Sequence, residues 1–274
     1  MSETTYTPKF FAWGLDRTRT SAEAIVPLVV ERVRPKSVVD LGCGVGVWLE
    51  TFARHGVDDY VGVDGAWVPR NELRIPPDRF VAARLDRPLE LGRRFDLVVT
   101  LEVAEHLPEH HADTFVRNVV EHAPCVLFSA AIPHQGGTDH VNEQWPDYWA
   151  ERFAAHRYVA VDGIRPLIWS NPDVFPFYRQ NVLVFATPEF VASRPLLARD
   201  RERTVDGQLS LVHPELLIGA AVNPGEHVRR PTARELMLGE LVAALPAVAT
   251  RSLRWRLRRT TRPTSRRRRP DSLL

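Results

Sequence analysis

The chain has 274 residues, 44% of them apolar and 26% charged, with a formal net charge of +2, the balance of a soluble globular protein with a sizeable core in one domain or one domain with an appendage. No run of 18 apolar residues occurs, and Met1 to Thr20 lacks the basic start, apolar middle and small-residue cleavage site of a secretion signal, so a cytoplasmic protein without an integral membrane segment is expected. Only two cysteines occur, Cys43 and Cys125, which excludes a zinc ribbon or a disulfide scaffold and leaves both thiols expected in the reduced state.

In chain order, a helix is predicted to open near Ser21 and to place Ile25, Leu28, Val29 and Val33 on one face, with Pro27 delaying or bending it. Pro35 ends that helix, and Ser37-Val38-Val39-Asp40-Leu41 reads as a buried strand that runs straight into Gly42-Cys43-Gly44-Val45-Gly46. A helix carrying Val47, Trp48, Leu49 and Phe52 follows, closed by Gly56. Further strands are expected at Tyr60 to Asp64, near Phe80 to Arg84, at Phe95 to Thr100 and at Cys125 to Ala130. Between the last two, Pro108 sits where helices begin, and Ala112, Phe115, Val116, Val119 and Val120 form an apolar stripe. Strands near Tyr158 to Val161 and Asn181 to Ala186 complete the set. This alternation of strands and helices predicts an α/β fold, a Rossmann-like doubly wound sheet of about seven strands, mostly parallel, within residues 1–187.

Residues 188–250 have a different texture, with Pro188, Pro195, Pro214, Pro224 and Pro231 among short apolar patches and a helix around Ala233 to Ala244. They read as an accessory wrap, and a homodimer contact would fall here. Residues 251–274 hold ten Arg against the single acid Asp271, which leaves an acidic body and a basic tail. Disorder is expected past Thr260, with Leu253, Trp255 and Leu257 continuing a basic helix.

A strand that ends in Asp40 and turns through Gly42, Gly44 and Gly46 into a helix lets backbone approach a ligand closely. The third glycine of a dinucleotide site would fall at Val47, and no Lys-Ser/Thr pair follows the last glycine, as a phosphate-binding loop requires. An acid ahead of the glycines suits instead a ligand with a positive end. Asp64, at the end of the next strand, stands where an acid accepts both ribose hydroxyls, and Leu85-Asp86 after the third strand meets an adenine. In these features, over roughly Val38 to Thr187, the sequence resembles the class I S-adenosylmethionine-dependent methyltransferases. The resemblance implies S-adenosyl-L-methionine as cofactor, in contact with Asp40, Gly42, Gly44, Gly46, Asp64, Leu85, Asp86 and Leu101.

A second constellation follows the fourth strand, in Leu101-Glu102-Val103-Ala104-Glu105-His106-Leu107. A helix here would put Glu102, Glu105 and His106 on one face, where two carboxylates and an imidazole call for a divalent cation between them. The pattern is similar to the Glu-x-x-Glu-His motif of small-RNA 2′-O-methyltransferases and ubiquinone-pathway O-methyltransferases. That resemblance implies a metal, Mg or Mn first, held by Glu102, Glu105, His106 and His140. Asn142-Glu143-Gln144 departs from the spacing of the RNA enzymes' loop, so His134 competes with His140 for the fourth place. The metal lowers the pKa of a substrate hydroxyl, and His106 or His134 takes its proton. The metal-free alternative leaves Glu102 beside the cofactor and His106 on the substrate or in packing.

The aromatic-rich stretch from Ile164 to Asn181 helps form the acceptor pocket in the resembled enzymes. Trp145, Trp169 and Tyr178 are expected to stack on a sugar or aromatic ring, with Arg179 reaching an anionic group, against a core-packing role for each. The expected acceptor is a small molecule or glycan hydroxyl. RNA fits less well because the body is acidic and no RNA-binding motif is visible. The tail has three readings: an RNA clamp, a peripheral contact with an anionic membrane, or a solvated terminus. A non-catalytic cofactor-binding partner of a second enzyme is the reading from another class.

Overall fold

The computed structural model describes residues 8–222, and the helix expected at 233–244 and the Arg-rich stretch 251–274 lie outside the described residues. Helix α1 (Pro8–Val33) starts well before the expected Ser21 and runs through Pro27. The carbonyl that Pro27 leaves without its helical partner belongs to Glu23, on the exposed face where water can take it, while Ala22, Ile25, Val26, Val29 and Val33 are fully buried on the other. Strand β1 (Ser37–Leu41) follows, then α2 (Val47–Arg54), β2 (Asp59–Asp64), β3 (Phe80–Ala82), β4 (Leu97–Leu101), α3 (Ala112–His122) and β5 (Cys125–Ser129). The later elements are α4 (Pro146–Ala155), β6 (Val159–Val161), α5 (Arg165–Ile168), α6 (Pro176–Asn181), β7 (Leu183–Ala186), α7 (Pro188–Ala192), α8 (Pro195–Arg203) and α9 (Pro214–Val222).

The seven strands form one sheet in the order β3-β2-β1-β4-β5-β7-β6. Six run in the same direction, and β7, between β5 and β6, runs antiparallel to both. Successive residues of a strand face opposite sides of the sheet, and the sequence shows it: Val38, Leu97 and Val99 enter the core under α1 and α2, while Val39 and Val98 enter the core under α3 and α4. Both faces being covered explains why β4 and β5 are apolar nearly throughout and do not alternate. In the second core Phe153 stacks on Phe185 with ring centroids 4.2 Å apart, and Phe128 meets both edge-on at 5.4 and 5.8 Å.

Residues after 187 continue onto this framework. Val191 and Leu197 lie in the first core and Leu209 in the second. Arg194 Nε donates to the Val33 carbonyl at 2.7 Å, and Arg32 Nε to Asp200 at 2.8 Å, so α7 and α8 are anchored to the end of α1. Buried Arg165 donates to the carbonyls of Gln180 and Leu209 at 3.2 and 2.7 Å and ties the end of α6 to the segment at Leu209. Both cysteines are buried and unpaired. No helix among the described residues is long and apolar enough to cross a membrane.

The topology places the carboxyl ends of β1, β2, β3, β4 and β5 on one edge. Strand order reverses between β1 and β4, and the crevice at such a switch point is where sheets of this kind bind ligands. Because Phe185 fills the space between two other rings, Phe185→Ala is expected to destabilise the domain by about 3–5 kcal/mol, measured by denaturant unfolding.

Candidate active site

At the switch point β1 passes into the glycine loop, where Gly42, Gly44 and Gly46 have φ of 91°, 53° and 89°, a backbone that side chains rarely adopt. Gly42 is also short of space: a Cβ there would lie 2.4 Å from Val103 Cγ2. The amides of Gly42 and Cys43 donate to the Val63 carbonyl at 2.8 and 3.2 Å, which ties the loop to the end of β2. There Asp64 accepts the Gly44 amide at 2.8 Å and the Gly65 amide at 2.6 Å. Burial pushes the Asp64 carboxyl up, and the two amides pull it partly back. Asp40 is 2% exposed, its Oδ2 has no hydrogen-bond partner, and burial together with the nearby Asp64 raises its pKa well above the usual carboxylate range.

Beside this loop lies an open cleft lined among others by Gly42, Asp64, Trp67, Leu85, Asp86 and Leu107. The Asp86 carboxylate is paired with Arg84, which holds it below the usual range. Leu101, at the end of β4, is buried in the first core and is not among the residues lining the cleft.

The segment after β4 departs from the expected helix. Glu102 takes a left-handed φ of 54°, its amide donating to the Ser129 carbonyl and hydroxyl at 3.0 Å each, and only Ala104–His106 form a 3₁₀ turn. Pro108 disfavours helical backbone at Leu107, which is extended, so no room is left for an α-helix, and Glu102 is not one turn from Glu105. Its carboxylate instead accepts Gln135 Nε2 at 2.9 Å and Asn181 Nδ2 at 3.0 Å.

What does converge is Glu105, His106 and His140, whose ligand atoms all lie within 4.8 Å of one another. Glu105 is fully buried; its carboxyl oxygens make no close hydrogen bond, and its polar neighbours are its own amide, the Ala131 amide and the Glu102 carboxyl. Burial, then the charge of Glu102, pushes its pKa well up. His106 Nδ1 lies 3.3 Å from the Asp139 carbonyl, an acceptor, so in the neutral ring Nδ1 carries the proton. Burial, then His140, pushes the His106 pKa down to about 4, which keeps the ring neutral near pH 7. The two imidazoles meet edge to face with centroids 4.9 Å apart. His134 is exposed and contributes its amide, not its ring, to the loop, so between the two competing histidines the structure brings in His140.

A buried carboxylate beside a second carboxyl and two imidazoles is an expensive arrangement alone, and a small divalent cation would relieve it: oxygen and imidazole donors suit Mg, Mn, Fe, Co or Zn. The residues present therefore fit a metal, with Glu102 outside the trio.

Of the four expected acceptor contacts, Trp145 keeps 41% exposure at the start of α4. Trp169 lies against His213, centroids 4.7 Å apart. Tyr178 and Arg179 correct the expectation. The Tyr178 ring is buried edge-on to Trp48 at 5.2 Å, and Arg179 is a buried bidentate partner of Glu215 at 3.0 and 2.6 Å. Sequence reasoning missed Gln135, Gln180 and Asn181, a buried set of amides joined to Glu102 through bonds of 2.9–3.2 Å. Their signal was available: a polar pair just before an antiparallel strand lies at the carboxyl edge of the parallel ones.

A family profile described as "Methyltransferase domain" matches residues 15–162, more than half of the chain. The chain belongs to this family, and its fold and glycine loop are those of a class I S-adenosylmethionine-dependent methyltransferase. Among curated relatives, the ubiquinone biosynthesis O-methyltransferase of Acinetobacter baylyi is 32% identical over 82 residues, which is 27% of this chain and 34% of that protein. That of Methylobacterium sp. is 36% identical over 115 residues, 38% of this chain and 44% of that one. The chain thus spans under half the length of the curated relatives it matches. Among solved structures, the sugar N-methyltransferase KedS8 from Streptoalloteichus shares the fold with a TM-score of 0.52 at 16% identity, over 67% of this chain and 93% of that one. Streptomyces venezuelae DesVI does so with a TM-score of 0.50 at 15% identity, over 65% and 96%.

The raised Asp40 pKa makes a prediction for the cofactor-free protein. The folded state binds the proton more tightly than the unfolded chain, so this contribution to stability is full at low pH and is lost as pH rises through the folded pKa. Asp40→Asn is therefore expected to melt higher than wild type at about pH 8, the gap closing toward about pH 4, as read by thermal unfolding across that range.

Proposed function

We propose that this protein transfers the S-adenosylmethionine methyl group to a hydroxyl of a sugar or glycosylated natural product, assisted by a divalent cation held by Glu105, His106 and His140. One observation carries the reading: a fully buried Glu105 carboxyl, with the Glu102 carboxyl beside it, lies within 4.8 Å of the ligand nitrogens of two histidines. The O-methyltransferase names of the curated relatives agree with an oxygen acceptor.

The residues divide the work by position. Asp64 and the glycine-loop amides hold the nucleoside end of the cofactor, and Asp40 offers a buried carboxyl to its positive end. When bound, the cofactor supplies a sulfonium-activated methyl carbon and the cation a Lewis acid that lowers the pKa of the acceptor hydroxyl. His106, neutral and with Nδ1 donating to the Asp139 carbonyl, would ligate or take a proton through its other ring nitrogen, Nε2. Glu102, clamped by Gln135 and Asn181, keeps a carboxylate fixed beside Glu105 and orients a donor that arrives there. The half-exposed Trp145 at the same loop offers a flat apolar face to a sugar ring, and vicinal sugar hydroxyls suit a cation with open positions.

RNA 2′-O-methyl transfer is the second reading, favoured by the ten arginines of residues 251–274. It predicts affinity for RNA that falls steeply with salt and is lost when those residues are removed.

Two variants test the proposal. Asp64→Ala is expected to weaken S-adenosylmethionine binding by at least about 100-fold in calorimetry, because two charge-assisted bonds are lost. Glu105→Ala is expected to keep cofactor affinity, to abolish Mn²⁺ binding and to remove metal-dependent turnover. Full activity of Glu105→Ala in the presence of a chelator would sink the metal mechanism.

A further inference from the structure

The loop 133–145 carries His140 across the carboxyl edge of the sheet, and one of its own side chains holds it in shape. Glu143 gathers three N–H groups: Oε1 accepts the Gly136 amide at 2.8 Å and lies 3.0 Å from His140 Nδ1, and Oε2 accepts the His134 amide at 2.8 Å. The side chains of His140 and Glu143 are 13% and 20% exposed, so this contact is not a solvent-screened surface pair. A carboxylate only accepts, so the ring proton on that side sits on Nδ1, and in the neutral imidazole Nε2 keeps the free lone pair.

A second observation concerns Nε2 itself. A Cβ on Gly137 would lie 2.2 Å from His140 Nε2 and 2.3 Å from Cε1, inside any non-bonded separation. The Gly137 backbone packs against this edge of the ring, and any side chain there would push the imidazole out of place. The loop thus holds the ring from both sides, by a carboxylate at Nδ1 and by close backbone packing at the Nε2 edge.

We propose that Glu143 is a positioning residue: it fixes His140 in the Nδ1–H form and binds the loop amides to the same carboxylate, so that Nε2 is presented to a divalent cation shared with Glu105 and His106. This rests on the reading of that trio as a cation site. A carboxylate behind a ligating imidazole both orients the ring and raises its basicity, and loss of such a partner weakens metal affinity by about 10–100-fold.

The test begins with ring-nitrogen chemical shifts of His140 in the full-length, cofactor-bound, metal-free protein at a pH where the ring is neutral, assigned with a His140→Gln variant. A proton on Nδ1 and a bare Nε2 are expected; a proton on Nε2 overturns the proposal without recourse to any Glu143 variant. Glu143→Gln is nearly isosteric but turns one acceptor into a donor facing an N–H group. It is expected to move His140 toward the Nε2–H form and to weaken Mn²⁺ binding, followed by electron paramagnetic resonance, by about 10–100-fold with S-adenosylmethionine affinity unchanged. A Glu143→Gln protein with the wild-type ring signature and wild-type Mn²⁺ affinity overturns it as well. If wild type binds no Mn²⁺ while the Nδ1–H signature is present and disappears in Glu143→Gln, the cation reading fails alone and the hold of Glu143 on His140 stands.

Discussion

Asp40, Asp64 and Glu105 stand at the carboxyl ends of β1, β2 and β4, three neighbours in the sheet, and burial presses each of them toward its neutral form. A chain does not keep such groups out of water for stability, since apolar residues of the same size would pack there more favourably. The cost is offset only when ligands of opposite charge arrive. In the proposed reading the cofactor's positive end and ribose hydroxyls would do this at Asp40 and Asp64, and a cation at Glu105. The parallel strands make this possible, because they bring acids distant in sequence to one edge and surround them with a dry, two-sided core.

The supports differ on the two sides of the switch point. On the β1 and β2 side the backbone does most of the work: positive-φ glycines, amides on Asp64, and strand-to-loop bonds to Val63. On the β4 and β5 side the side chains do it, through the Glu102, Gln135, Gln180 and Asn181 network and the loop that Glu105's own carbonyl anchors by accepting the amides of Val141 and Asn142 at 2.9 and 3.0 Å. The first half recognises a ligand of fixed shape, and the second is built from groups that substitution can retune.

The sequence showed the sheet clearly because strands buried on both faces are short apolar runs, and Val38 to Leu41, Leu97 to Leu101 and Cys125 to Ser129 are of that kind. It showed the glycine loop and Asp64 because their spacing follows directly from one βαβ unit. Glu102 was misplaced because helical spacing is also present in a strand end followed by a 3₁₀ turn, and Pro108 with its constraint on Leu107 decides between them. The fate of Arg179 was not legible, since its partner Glu215 lies 36 residues away, and no local pattern distinguishes an arginine kept for a ligand from one consumed by a distant carboxylate. Tyr178 was unreadable for a similar reason: the ring that covers it, Trp48, belongs to α2.

The contact between Gly42 and Val103 couples the two halves mechanically. With no atoms to spare, since a single added carbon would come within 2.4 Å of the valine, the glycine loop and the segment leading to Glu105 cannot shift toward each other. In-line methyl transfer needs donor and acceptor held close and aligned, and a misplacement of about 1 Å is costly. The missing side chain at Gly42 thus sets how closely the wall of the cleft and the chain leading to Glu105 approach each other, a register held by absent volume.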